Sequence, residues 1–185
     1  ISLLRGINVS GKNSIKMEAL KQLYIDLHFT QVQTYLQSGN VVFRHPQTDP
    51  STLATAIASQ IKSTFAFDVP VIVMSADDLK RIIDNNPLAV EPSGRDAIHR
   101  DPIFLHITFL SPAPNHSGFD AILKSKAPNE EAVLTDDAVY LYCPNGYGKT
   151  KLSNNFIEAK LKVVATTRNW KTTTELLKMA ENLPL

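Results

Sequence analysis

The chain has 185 residues, of which 43% are hydrophobic and 20% charged, a composition typical of one globular domain or two small ones. A net charge of +1 excludes a protein that coats nucleic acid through charge alone. A single cysteine excludes an internal disulfide and a cysteine-based zinc site, and no apolar run reaches the roughly 18 residues of a membrane span. We therefore expect a cytoplasmic protein that needs no metal, cofactor or membrane.

The net charge is close to zero, but the charged residues are unevenly distributed along the chain. Residues 102–145 contain two basic and five acidic side chains, whereas residues 146–185 contain seven basic and three acidic ones. A basic C-terminal part indicates an anionic partner there. The alternative is a helix face that carries lysines into solvent.

In the first half of the chain, segments whose apolar residues have strand spacing alternate with segments whose apolar residues have helix spacing. A turn at 37–40, with Gly39 in the position that needs a positive φ, indicates a hairpin. Ser75 and Asp78 have the spacing of a capping box and predict a short helix after them. The predicted order before that helix is a strand over 1–7, a helix over 16–28, strands over 31–36 and 41–44, a helix beginning at Pro50 and a strand over 69–74.

The second half repeats the same order. Thr172 and Glu175 have capping-box spacing, which predicts that a last helix begins at Thr172. The elements before it are a strand over 103–110, a helix over 117–126, strands over 131–134 and 138–143, a helix over 154–161 and a strand over 163–167.

This doubled order predicts an α+β protein with two ferredoxin-like βαββαβ units, whose antiparallel sheets pack into one compact body, and a C-terminal helix. The polar stretch 84–101, interrupted by prolines and a glycine, is the expected linker or mobile loop. We place the first unit with its trailing helix at 1–83, and the second unit with the C-terminal helix at 102–185.

Four segments combine polar residues and glycine at the ends of predicted strands. They are LRGINVSGK at 4–12, TYLQSGNVVF at 34–43, YGKTKLSN at 147–154 and ATTRNW at 165–170. In this order they resemble the domain-of-unknown-function 1697 family over nearly the whole chain. Ser10 stands where that family usually has glycine, and Lys149 where arginine is common. The resemblance implies a bacterial cytosolic protein without an established activity.

The predicted topology gathers these segments into two clusters at sheet ends, because the first and second strands of each unit run parallel, as do the third and fourth. The first cluster consists of Arg5, Asn8, Lys12, Gln37, Ser38 and Asn40. The second consists of Tyr147, Lys149, Lys151, Arg168, Asn169 and Trp170. Loops with basic side chains and free N–H groups suit anions. The alternative is that the glycines serve turns and the amides cap local backbone.

Two functions remain open from the sequence. The protein binds a small phosphorylated or carboxylated ligand, for example a nucleotide, or it is an enzyme acting on such a ligand. In the enzyme, Tyr147 or Lys149 would handle a proton and Arg5 or Arg168 would clamp the anion. Because like charges repel, Lys149→Ala or Arg168→Ala should barely destabilise the protein.

Known catalytic and nucleic-acid motifs match less well. Gly148-Lys149-Thr150 resembles the end of a P-loop, but the first glycine of that motif falls at Cys143. The histidines show no metal-ligand spacing, and His106 reads as a residue on a sheet face. A nucleic-acid or protein interaction module is a further alternative. The sequence argues against a nucleic-acid partner, because the first strand has no aromatic residue on which a base could stack.

Overall fold

The computed structural model describes residues 1–9, 11–46, 49–89 and 100–184. No helix in these ranges is long and apolar enough to cross a membrane. Contacts divide the chain into two compact units, one of residues 1–80 with 175–185 and one of residues 81–174. Of the linker predicted at 84–101, residues 90–99 lie outside the described ranges, so the predicted domain boundaries stay a prediction.

The first unit has the ferredoxin-like order that the sequence predicts. Its sheet order is β2-β3-β1-β4, and every neighbouring pair is antiparallel. The elements are β1 (Ser2–Leu4), α1 (Met17–Asp26), β2 (Thr30–Tyr35), β3 (Asn40–Arg44), α2 (Pro50–Phe65), β4 (Val71–Val73) and α3 (Ala76–Asp84), the last of which continues into the second unit.

The second unit repeats this topology with the order β6-β7-β5-β8, again antiparallel throughout. The two ferredoxin-like sheets confirm the predicted fold class. The elements are β5 (Leu105–Ser111), α4 (Phe119–Ser125), β6 (Glu131–Leu134), β7 (Ala138–Tyr142), α5 (Asn154–Leu161), β8 (Val164–Asn169) and α6 (Trp170–Glu181), the last of which belongs to the first unit from Glu175 onward. Single 3-10 turns precede β5, α4 and α5, at Pro102–Phe104, His116–Gly118 and Tyr147–Lys149.

Side-chain caps begin three helices where the sequence predicts them. The Asp49 carboxylate accepts a hydrogen bond from the Thr52 amide at 2.8 Å, and Pro50 occupies the first turn of α2. Ser75 and Asp78 form the predicted capping box: the Asp78 amide donates to Ser75 Oγ and the Ser75 amide to Asp78 Oδ2. Ser153 Oγ accepts from the Phe156 amide at the start of α5.

The start of α6 differs from the prediction. The helix begins at Trp170, two residues before the predicted start at Thr172. The Asn169 side chain accepts the Thr172 amide at 2.7 Å, so the cap is an asparagine at the end of β8 and not the Thr172–Glu175 box. A strand that runs directly into a helix leaves no loop signal in the sequence.

Each sheet buries the face that its helices cover. In the first unit Leu4, Val41 and Val32 join Tyr24 of α1 and Ile57 of α2 in one apolar cluster. In the second unit the corresponding cluster combines strand and helix residues from both layers; it consists of Leu110, Ile122, Ala132, Val139, Leu141, Cys143, Leu152, Ile157, Leu161 and Ala165.

Candidate functional site

The loop after β1 and the hairpin between β2 and β3 meet at one end of the first sheet. Asn8 Nδ2 donates to the Gln37 carbonyl at 2.8 Å, and the Leu4 amide donates to the Gly39 carbonyl at 2.8 Å. Because β1 and β2 both pair antiparallel with β3, their ends must lie on the same side. The loop and the hairpin therefore meet as expected, whereas a ligand site among the residues of the first cluster stays a prediction.

Within this first cluster the amide side chains bond to neighbouring backbone. The Asn8 side chain pairs with Ile15 in both directions, because Nδ2 donates to the Ile15 carbonyl and Oδ1 accepts the Ile15 amide. Asn40, which is fully buried, donates to the Tyr35 carbonyl and to Ser38 Oγ. These bonds hold the loop and the hairpin in shape. Gln37, Ser38 and the cationic Lys12 are exposed, and Arg5 is half-buried.

A polar network lies at one end of the second sheet, on the face that α4 and α5 cover. The Tyr147 hydroxyl donates to Thr167 Oγ1 at 3.0 Å, and Thr167 Oγ1 donates to Asn154 Oδ1 at 2.7 Å. Thr108 Oγ1 lies 2.8 Å from Thr167 Oγ1. A hydroxyl has one hydrogen, and that of Thr167 is given to Asn154, so Thr108 and Tyr147 both donate to Thr167. The Tyr147 proton therefore points into the protein.

His106 forms the outer side of this network. Its ring stacks on Tyr147 with 5.0 Å between ring centroids, and its Nδ1 lies 3.0 Å from the Phe104 carbonyl. A carbonyl can only accept, so Nδ1 carries the proton and Nε2 presents a lone pair. Burial lowers the pKa of His106 below its ordinary value, against a smaller opposite effect of the bond to Phe104. The imidazole is therefore neutral at neutral pH.

We expect this histidine to make stability depend on pH. Because the folded pKa is depressed, the unfolded chain takes up a proton before the folded protein does as the pH falls below about 6.5, and stability is lost. His106→Asn keeps a donor for Phe104 and removes the titration. Between about pH 7 and about pH 5, the Tm of the wild type should therefore fall more than that of the variant. Equal decreases in the Tm of the wild type and the variant would show that His106 has the same pKa in the folded and the unfolded chain.

Four lysines are among the residues that line a cavity of about 480 Å³ in the second unit. Lys124 and Lys126 come from the end of α4, and Lys149 and Lys151 from the loop that follows β7. We call this space the lysine cavity; its remaining described lining residues are Ser125, Ala127, Pro128, Glu130 and Thr150. It combines two of the basic residues predicted from the sequence with two that were not.

Glu130 supplies the one carboxylate among the described residues that line the lysine cavity. The side chain is buried, and its Oε2 accepts the Ala127 amide at 2.8 Å. The Lys126 ammonium donates to the Glu130 carbonyl oxygen at 2.8 Å. Glu130 thus closes the turn between α4 and β6, and the described lining contains four lysines and this one carboxylate.

The buried thiol of Cys143 lies behind the lysine cavity. Burial, followed by the negative charge of Glu130, raises its pKa to about 12, while the Thr150 hydroxyl acts in the opposite direction. A thiol with so high a pKa is not a nucleophile near neutral pH. Cys143 is a packing residue of the second apolar cluster.

The other four residues of the second predicted cluster do not line the lysine cavity, and of these Tyr147 belongs to the polar network described above. The β5–β8 register sets Arg168 opposite Ile107, on the face turned away from Thr108 and Thr167. Arg168 is 8% exposed and donates to Thr166 Oγ1 and to the Thr167 carbonyl, both at 2.9 Å. Its burial removes the reason to expect that Arg168→Ala barely destabilises the protein. Asn169 caps α6, and Trp170 is the first residue of that helix.

Sequence reasoning missed five residues of this region. Lys124 and Lys126 lie in a stretch that is acidic on average, which conceals their local positive charge. Asn154 and Thr167 are inside the quoted motifs, but the sequence does not show that the Thr167 hydroxyl donates a hydrogen bond to the Asn154 side chain. His106 was read as a residue on a sheet face, and the stacking of Tyr147 on it has no signal in the sequence.

Comparison with known proteins places the chain in a family. No curated protein matches it. Conserved bacterial protein SP0830 from Streptococcus pneumoniae has a similar structure, with a TM-score of 0.69 and 20% identity over 97% of this chain and 96% of that chain. Residues 1–140 match the family described as "Protein of unknown function (DUF1697)". At 20% identity the structural similarity shows only that the two proteins share a fold. The family match covers most of the sequence, and the chain therefore belongs to the DUF1697 family.

Proposed function

We propose that this protein binds a small phosphorylated or carboxylated molecule in the lysine cavity. The observation that carries the proposal is the charge of the lining: four lysines and one buried carboxylate surround about 480 Å³. A volume of this size is within the range of small-molecule sites, roughly 300–1,000 Å³. Ammonium groups that share a cavity repel one another, and a bound anion relieves that repulsion.

The arrangement of the lysines supports a ligand with a compact negative group. Lysine ammonium groups act as mobile point charges that adapt to phosphate or carboxylate oxygens. Lys149 is in the 3-10 turn Tyr147–Lys149, and Thr150 and Lys151 follow it directly. The loop thus supplies two charges and a hydroxyl from three consecutive residues. The end of α4 supplies the other two charges.

We expect phosphate or sulfate to raise the Tm of the wild type more than chloride does at equal ionic strength. Lys149→Gln should leave the Tm without phosphate nearly unchanged, because it removes a charge that its neighbours repel, and should lose the phosphate effect. Glu130→Gln should increase the phosphate effect, since it removes the one negative charge and retains an oxygen for the Ala127 amide. Thermal unfolding monitored by circular dichroism measures these differences.

The matched control is Lys21→Gln, at an exposed lysine on α1 outside the cavity. It should respond to phosphate as the wild type does. A Lys149→Gln protein that keeps the full phosphate effect would contradict the proposal. A wild type that responds equally to phosphate and chloride would also contradict it.

An enzyme that acts on the same ligand is the second candidate. His106 favours it, because a neutral imidazole with a free lone pair is a common general base. The bond from Tyr147 to Thr167 argues against Tyr147 as the proton-handling group that the sequence suggested. Likewise, the burial of Arg168 argues against its use as an anion clamp in this cavity.

A further inference from the structure

We propose that a second cavity, in the first unit, binds an amphipathic carboxylate, whose apolar body lies on the cavity lining and whose carboxylate pairs with Arg44. The cavity has a volume of about 390 Å³, within the range of small-molecule sites of roughly 300–1,000 Å³. All of its described lining residues belong to the first unit. We call this space the arginine cavity, and the inference does not depend on the lysine cavity.

The arginine cavity lies where two strands end and two helices begin. Both β3 and β4 pair antiparallel with β1, so they run parallel to each other and end at the same side of the sheet. Pro50 at the start of α2 and Ala76 at the start of α3 line the cavity there. Ala180 of α6 and Leu183, which follows that helix, line it as well. The topology thus brings four separate parts of the first unit to one space.

Most of the described lining is apolar. Val42, Leu53, Met74 and Leu183 are buried side chains that line the cavity. Among the described lining residues, three have polar side chains: Arg44, His45 and Ser75. An aliphatic or aromatic body gains free energy when such a surface removes it from water, whereas free phosphate gains nothing from it. The lining therefore favours a ligand with an apolar body.

Arg44 determines the sign of the charge that the ligand carries. Its Nη2 donates to the Leu183 carbonyl at 3.0 Å, which is the one hydrogen bond of this guanidinium to the residues that the structure describes. A guanidinium has five N–H donors, so most of them remain for a ligand. The described lining contains no carboxylate side chain that would neutralise Arg44. A guanidinium binds a carboxylate through two parallel hydrogen bonds, and an anionic head group is therefore the complement of this position.

The carboxylates nearest in sequence to the lining serve the helix starts. Asp49 accepts the Thr52 amide at the start of α2, and Asp78 accepts the Ser75 amide at the start of α3. Neither aspartate lines the arginine cavity. The positive charge of Arg44 is thus left for a bound molecule.

The test compares octanoate with 1-octanol, which have chains of the same length and differ in charge. An apolar surface without a cation would favour 1-octanol, because a carboxylate costs more to remove from water. Isothermal titration calorimetry with the wild type should instead show that octanoate binds more tightly, by roughly 10-fold, the contribution of a charge-assisted hydrogen bond. Butyrate should bind more weakly than octanoate, by about fourfold for each methylene that the cavity covers.

Four variants locate the two parts of the ligand. Arg44→Gln should lose the preference for octanoate and bind 1-octanol as the wild type does. Arg44→Lys keeps the charge without the guanidinium fork and should retain part of the preference. Ala180→Phe should weaken the binding of both compounds, because its ring would occupy part of the cavity. The matched control is Lys21→Gln, at an exposed lysine outside this cavity, which should bind both compounds as the wild type does.

The lysine cavity would also attract a carboxylate, so a lysine variant separates the two sites. Lys149→Gln should bind octanoate as tightly as the wild type. If Lys149→Gln loses octanoate binding and Arg44→Gln keeps it, the carboxylate lies in the lysine cavity and the inference is wrong. If the wild type binds octanoate no more tightly than 1-octanol, or binds neither compound, the inference is also wrong, while the proposed function of the lysine cavity stands.

Discussion

Gly39→Ala is expected to destabilise the protein by about 2–4 kcal/mol, because two separate effects add. Gly39 adopts a φ of +73° in the hairpin between β2 and β3, a conformation that costs an L-residue about 1 kcal/mol. A Cβ at this position would also lie 2.6 Å from the Leu4 Cβ and 2.9 Å from Ile7 Cδ1. Both neighbours are buried and cannot move away freely.

The control for this prediction is Gly6→Ala, which isolates the effect of backbone conformation. Gly6 has the same φ of +73°, but nothing lies within 4 Å of a Cβ built there. We therefore expect a loss of about 1 kcal/mol for Gly6→Ala. Urea unfolding of both variants, followed by circular dichroism, measures the difference. Equal losses would mean that the contact between Gly39 and Leu4 is not as tight as described.

Gly118→Ala should be among the most damaging substitutions in the second unit, with a loss of about 3 kcal/mol. A Cβ on Gly118 would overlap the carbonyl oxygen of Lys160 and lie 2.7 Å from its carbonyl carbon. The obstacle is the backbone of α5, which cannot relax as a side-chain tip can. The Asn115 amide donates to the Leu161 carbonyl at 3.0 Å, and this bond holds the turn before α4 against the end of α5.

Gly148→Ala provides the matched control for the second unit. Gly148 has no positive φ, and nothing lies within 4 Å of its Cβ position. The stability of this variant should change by less than about 0.5 kcal/mol. A Gly118→Ala protein as stable as Gly148→Ala would show that α4 and α5 pack further apart than the structure has them.

The fold was predictable because the spacing of apolar residues distinguishes helices from strands along most of the chain, and the turn residues lie between the elements so predicted. The Asp49 cap, the Ser75–Asp78 box and Gly39 mark boundaries that the structure confirms. Prediction was wrong where a strand runs directly into α6, since Asn169 belongs to β8 and caps the helix at the same time. The first predicted strand is also shorter than expected, because positive φ angles at Gly6 and Asn8 end it early.

The candidate site was only partly predictable, because its members meet through packing and not through sequence spacing. Lys149 and Lys151 follow from the motif, whereas Lys124 and Lys126 reach the same cavity because β6 begins at the sheet end where β7 stops. The face on which Arg168 lies depends on the exact register of β8. A shift of one residue reverses that face, and no pattern in the sequence fixes the register so closely.

The location of a bound tungstate ion, a heavy analogue of phosphate, tests the central claim most directly. Anomalous scattering from crystals of the protein grown with tungstate gives its position independently of any assumed site. The account predicts the strongest peak inside the lysine cavity, among Lys124, Lys126, Lys149 and Lys151. It also predicts that this peak disappears in the double variant Lys149→Gln, Lys151→Gln. A strongest peak beside Arg5 and Lys12, or a peak in the cavity that persists in that variant, would contradict it.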